Sequence, residues 1–201
     1  METTNCPTGA EDIEFYKENG FIQYPNFFTE KEIEDLGDAV DDAIACNRDR
    51  ILGAKNGGRV SEDYERVFNQ MVNLWCDYPS VKFYSLNQRL AESARRLSGG
   101  RHVRIYHDHA MIKPSGEVSK ETNWHQDSPY WPMDPIGSLS AWVAVDDVTM
   151  ENGCLHFIPG SHKFGKLEPI ALGKEGESIV KKMEKEKCQL SASVSMEMPA
   201  G

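Results

Sequence analysis

The hydrophobic pattern changes period at Gly99-Gly100, and this change constrains the fold more than any other feature of the chain. Upstream, apolar residues recur at helical spacing. Ile33, Leu36, Val40 and Ile44 follow Thr29-Glu30-Lys31-Glu32, whose Thr and Glu stand three apart as in a capping box. The spacing predicts a helix from 30 to about 46. A short helix over 11–18, ending near Gly20, precedes it, with FIQY as a short strand between them. Residues 47–62 read as a loop, parts of 63–76 as helical, and 80–97 as a helix stopped by Gly99-Gly100. Downstream, HVRIYHDHAMIK, SLSAWVAVDD (138–147), GCLHFI (153–158) and SVSMEM (193–198) alternate as strands do, divided by Pro-Gly and Asn-Gly turns. Helices first and short strands afterwards predict an α+β protein. Its N-terminal helices would pack on an antiparallel sandwich or barrel. Residues 1–10 are expected to be disordered and 11–201 to form one domain.

Composition narrows the function classes. Twenty-two Lys and Arg against 32 Asp and Glu leave a formal net charge of −10, which disfavours a nucleic-acid-binding surface. The run KKMEKEK at 181–187 mixes both signs and reads as a solvated helical face. No apolar run reaches the roughly 20 residues of a membrane span. The first residues lack the basic and apolar regions of a secretory leader. Five cysteines, none spaced C-x-x-C, read as reduced thiols. The expectation is an intracellular, cytoplasmic protein, with the peroxisome left open, that acts on a small molecule. The sequence is silent on its oligomeric state.

One short stretch carries chemistry. In NWHQDSPYW (123–131), His125 and Asp127 are two apart, so an extended backbone points both to one face. An imidazole and a carboxylate suit a divalent metal. With one more histidine they would make the facial triad of non-haem Fe(II) oxygenases, which leaves positions open for cosubstrate and oxygen. A surface turn with a hydrogen-bonded His and Asp is the competing reading.

The segment NWHQDSPYWPMDPIGSLSAWVAVDDVTMENGCLHFIPGSHKFG resembles the core of the phytanoyl-CoA dioxygenase family. FYKENGFIQYPNFFTEKEIEDL, VFNQMVNLW and HDHAMIKPSG resemble its earlier segments, so the similarity spans about 11–201. The resemblance implies a double-stranded β-helix, a jelly roll. It also implies an oxidoreductase that uses Fe(II), 2-oxoglutarate and O2 to hydroxylate a small organic or acyl substrate, with release of succinate and CO2. By resemblance, His125 and Asp127 are metal ligands. Gln70, His109, Gln126 and Trp142 stand at positions lining the 2-oxoglutarate pocket. Gln70 and His109 replace a lysine and a methionine common there, and neither supplies a fixed positive charge.

The remaining histidines carry plainer readings. His102 and His107 suit strand surfaces. His156 alternates with Leu155 and Phe157, which favours a structural role, and His162 suits the Pro-Gly-Ser-His loop. In the family a second histidine ligand and an arginine for 2-oxoglutarate lie on later strands. Here no histidine follows His162, and the sequence ends in MEMPAG. The jelly roll is therefore expected to be incomplete at its C-terminal strands, and the 201 residues alone to be inactive. Two alternatives stay open: a non-catalytic jelly-roll binding or regulatory protein, and a cupin-like metalloprotein using zinc or manganese.

Overall fold

The structure is a computed structural model and describes residues 6–46, 69–112, 121–132, 138–172, 178–186 and 188–201. The loop expected over 47–62 lies outside the described residues. The helix α1 spans Ala10–Asn19. The Gly9 N–H donates to Asp12 at 2.7 Å at its start. At its end Gly20 turns left-handed (φ +85°) and its N–H bonds the Tyr16 carbonyl. The helix α2 spans Glu30–Cys46. Its expected capping box forms: the Thr29 N–H donates to Glu32 and the Glu32 N–H to Thr29 Oγ1.

Two clusters make the core under α2. Ala39 and Ala43 meet Met71, Leu74 and Val81, while Ile33 and Leu36 meet Phe28 and Tyr84. Two expectations change around them. Part of the 63–76 stretch is not helical but a strand, β1 (Asn69–Val72). Met71 is buried and Ala110, opposite it, packs on the core, so period two governs there. A short α3 (Leu74–Asp77) then follows. The single helix expected over 80–97 is two, α4 (Pro79–Ser85) and α5 (Gln88–Ser98). The break falls at Asn87, whose side chain accepts from the N–H groups of Arg89 and Leu90 and so starts a new helix.

The N-terminal stretch is tied down from residue 6. Thr8 is buried and shares a 2.8 Å hydrogen bond with Tyr24, and its carbonyl accepts from Arg96 of α5. The same helix holds Glu92 between Arg95 and Arg96, which lower its carboxyl to about 2. A depressed acid contributes stability above its unfolded value of 4.5 and loses it as pH falls through about 2. Thermal melts of wild type and Glu92→Gln are therefore expected to differ at pH 7 and converge near pH 2. A gap independent of pH would refute the assignment. Because the group is solvent-facing, the gap should also shrink with salt.

The second half holds fewer ladders than its alternation predicts. Strand β2 (His109–Ile112) pairs antiparallel with β1, matching Val72 to His109 and Gln70 to Met111. Strands β3 (Leu155–Phe157) and β4 (Val194–Met196) form a second antiparallel pair, extended by a bridge between Val148 and Met198. Among the described residues of HVRIYHDHAMIK, 102–112, only 109–112 are strand, and FIQY and 138–144 carry no ladder. Among the described residues they meet isolated partners: the Gln23 side-chain amide donates to the Glu197 carbonyl, and the Ala144 backbone carbonyl accepts from the Gly201 N–H. Residues 181–185 of the basic run belong to α6 (Ile179–Lys185), whose Ile179 and Met183 are buried while its lysines face outward.

Candidate metal centre

The His125–Asp127 segment has no ladder of its own; a 3-10 turn over Ser128–Tyr130 ends it. Its side chains nevertheless take up a defined arrangement. His125 Nδ1 lies 2.6 Å from the carbonyl of Asn123. A carbonyl can only accept, so Nδ1 carries a proton, and Nε2 is the nitrogen left to bind a metal. Nε2 faces Asp127 Oδ1 at 3.4 Å. The other carboxylate oxygen, Oδ2, accepts from Ser140 at 3.0 Å.

This pair collects positive charge. Burial disfavours the imidazolium of His125, but Asp127 and the Asn123 carbonyl outweigh it and raise its pKa. Asp127 is held below the usual carboxylate range by His125 first, against burial, and then by Ser140. His109 moves the other way: surrounding protein and the neighbouring His107 lower it, although Asp127 and Asp108 oppose them. His109 is therefore a neutral hydrogen-bonding group that remains water-accessible.

The donors fit a divalent ion. Two ligands bound at about 2.1 Å and at right angles stand roughly 3 Å apart, near the observed separation. The Asn123 carbonyl and Ser140 hydroxyl hold the two side chains from outside, the arrangement that orients ligands in known metal sites. Among the described residues no three His, Cys, Asp or Glu side chains gather closely enough to hold a metal. A triad needs a further donor.

The other expected positions fall as follows. His109, His125, Gln126, Asp127 and Trp142 all line one solvent-open concavity of about 3270 Å³. That exceeds the roughly 300–1000 Å³ of a small-ligand pocket, so it is a groove and not an enclosed site. Gln70 sits in β1 across from Met111, at a register position on the same sheet face as His109. Gln126 has both ends of its amide engaged by backbone: it donates to Gly165 at 2.9 Å and accepts from Leu167 at 2.9 Å. His162 bonds the Lys17 carbonyl at 3.0 Å, and His156 lies exposed, 3.8 Å from Cys154 Sγ.

Sequence reasoning missed Asn123, Ser140 and the phenol of Tyr130, which bonds both backbone groups of Ile170. Asn123 was within reach, since the residue two before a ligand stands beside it. Ser140 and Ile170 come from distant segments, and no local pattern marks them.

The profile of the family described as Phytanoyl-CoA dioxygenase (PhyH) matches residues 16–201. The phytanoyl-CoA dioxygenase of Arabidopsis thaliana is 24% identical over 222 residues, covering 95% of this chain and 77% of that protein. The peroxisomal phytanoyl-CoA dioxygenase of Bos taurus is 25% identical over 183 residues, covering 82% of this chain and 50% of that one. Against the bovine relative the chain thus spans about half the length. Among solved structures, the non-heme alpha ketoglutarate dependent carbocyclase SnoK from nogalamycin biosynthesis superposes with a TM-score of 0.71 at 19% identity, over 97% of this chain and 72% of that one. The likeness shows a shared fold, and the profile match shows the kinship: the chain belongs to the phytanoyl-CoA dioxygenase family.

Proposed function

We propose that this domain is the metal-bearing part of an Fe(II)- and 2-oxoglutarate-dependent dioxygenase that hydroxylates a small organic or acyl substrate. The observation that carries the reading is the His125–Asp127 pair, with one proton fixed on Nδ1 and two donor atoms facing each other at 3.4 Å, in a chain of this family. Bound Fe(II) with 2-oxoglutarate and O2 would supply the oxidising chemistry, whose products are hydroxylated substrate, succinate and CO2.

The chain's own residues do the rest. His125 and Asp127 hold the ion, and Asn123 and Ser140 keep their donor atoms turned toward it. Trp142 and the strand carrying His109 wall the cosubstrate side, with Gln70 at the neighbouring register position. His109, kept neutral, donates or accepts a hydrogen bond there without adding charge. The third ligand, and a cation for the distal carboxylate of 2-oxoglutarate, come from residues other than those described. The strands that carry them complete a jelly roll. A chain holding the ion by two ligands alone is expected to be inactive by itself.

The test is succinate release from 2-oxoglutarate, dependent on added Fe(II), in a form of the protein carrying this domain. No succinate in any form, with Fe(II) bound, would overturn the reading. Within it, Trp142→Ala is expected to raise the 2-oxoglutarate requirement roughly tenfold, a loss of about 1.4 kcal/mol of binding, while leaving the melting temperature nearly unchanged. An unchanged requirement would place the cosubstrate elsewhere. The lack of a three-donor cluster among the described residues favours a second reading, a binding module without catalysis. Absence of Fe(II) binding altogether would select it.

A further inference from the structure

The segment that carries both proposed ligands lacks strand pairing, yet it makes four hydrogen bonds through two side chains to a single neighbour. Gln126 donates to the Gly165 carbonyl and accepts from the Leu167 N–H, both at 2.9 Å. Further along both segments, the Tyr130 hydroxyl donates to the Ile170 carbonyl at 2.7 Å and accepts from the Ile170 N–H at 3.1 Å. A fifth bond runs from the Ile179 N–H to the Trp124 carbonyl at 3.0 Å. Each side chain thus offers one donor and one acceptor to a backbone donor and acceptor, as a neighbouring strand would. The receiving segment is anchored in turn: Ile170 is buried, and so are Ile179 and Met183 of α6. The Tyr130 ring also meets the His125 ring edge-on, with centroids 6.2 Å apart.

We propose that Gln126 and Tyr130 are positioning residues, and that residues 165–170 form a backing strap substituting for a β-ladder behind the His125–Asp127 segment. Gln126 then acts on the metal through the backbone, not by touching the cosubstrate. The chemistry supports this. A primary amide has one donor end and one acceptor end in this plane, and both are engaged by the strap. The two bonds fix the Gln126 side chain against the strap. Ligands must be held within about 0.5 Å of productive geometry, and a segment without a ladder needs another source of that rigidity.

This inference rests on the proposed metal site, and the experiment separates the two. Glu at position 126 keeps the shape and the acceptor for Leu167 but loses the donor and sets a carboxylate against the Gly165 carbonyl. Phe at position 130 removes both phenol bonds. Gln126→Glu and Tyr130→Phe are compared with wild type and His125→Ala by two readouts. The first needs no metal: amide hydrogen exchange of the free chain. Exchange is expected to rise together in 123–128 and 165–170, with α2 and α5 unchanged. The second is Co(II) titration, read by its visible spectrum, together with the 2-oxoglutarate requirement. Metal affinity is expected to fall roughly 10–100-fold with the cosubstrate requirement unchanged. Unchanged exchange in both segments overturns the strap. A raised 2-oxoglutarate requirement with unchanged metal affinity returns Gln126 to the cosubstrate pocket and also overturns it. If His125→Ala binds Co(II) as wild type does, the metal assignment itself fails, whatever the exchange shows.

Discussion

His125→Ala and Asp127→Ala are each expected to abolish Fe(II)-dependent succinate formation and to weaken divalent-metal binding beyond detection. The loss should exceed the roughly 10–100-fold that follows removal of a group merely orienting a ligand, because a donor atom itself is deleted. Asp127→Asn is the sharper variant. It preserves size and the bond from Ser140, 3.0 Å from Oδ2, but removes the charge that draws a cation between carboxylate and imidazole. His125→Ala leaves Asp127 exposed to water and so without a buried-charge penalty, since the carboxylate side chain is 53% accessible. Folding is therefore expected to survive, and circular dichroism checks it. Metal titration of the 201-residue chain and succinate release from a longer form give independent readings. Normal turnover in either variant, with the fold intact, would reject the assignment.

Gly20→Ala is expected to destabilise the fold by about 2–3 kcal/mol. Two causes add. The left-handed backbone at φ +85° costs a residue with a Cβ about 1–2 kcal/mol. A Cβ there would stand 2.3 Å from His162 Nδ1 and 2.6 Å from its Cγ, so the imidazole must leave. Leaving breaks its bond to the Lys17 carbonyl, worth about 1 kcal/mol. Gly99 supplies the control. It too is left-handed, at φ +68°, but nothing lies within 4 Å of its Cβ direction. Gly99→Ala should lose only the backbone part. For a domain of this size the two melting temperatures should differ by several degrees, at roughly 2–4 °C per kcal/mol. Equal melting temperatures would mean that His162 yields freely. The pair Gly20→Ala with His162→Ala should recover part of the loss, because the clash is then already gone.

Local signals were legible where one residue's side chain closes a bond with its own neighbours. The Thr29–Glu32 cap starts α2 and Gly20 and Gly99 end helices, and all three can be read from four or five residues. The two-residue spacing of His125 and Asp127 was legible for the same reason, and their facing atoms follow from it. Helix was expected over parts of 63–76; Leu74–Asp77 is helical but Asn69–Val72 is strand, because VFNQMVNLW supports either period and only the arrival of β2 decides it. The strand expected over 138–147 shows the converse. Its alternation is real, but a strand exists only as far as its partners do. Those come from remote segments, as the bridge from Val148 to Met198 shows. Gln126 was placed by resemblance at the cosubstrate, while its actual bonds reach 39 and 41 residues away, where no pattern in one sequence points.

The latch on the end of α1 bears on how the chain is made. The carbonyls of Lys17 and Asn19 are satisfied by His162 and the Gly160 N–H, and Lys163 pairs with Glu18. The partner of Lys17 lies 145 positions downstream. At roughly 5–20 residues per second, a ribosome needs about 7–30 s to deliver it after the helix itself has emerged. A ten-residue helix is too short to persist alone in water for that interval. During synthesis α1 therefore waits, frayed and exposing Phe15 and Phe21, until the Pro-Gly-Ser-His turn arrives to seat it and Phe157 stacks on Phe21. The first helix is thus open to chaperones and proteases on the nascent chain, and the seating of its end is timed by a turn from the last quarter of the sequence.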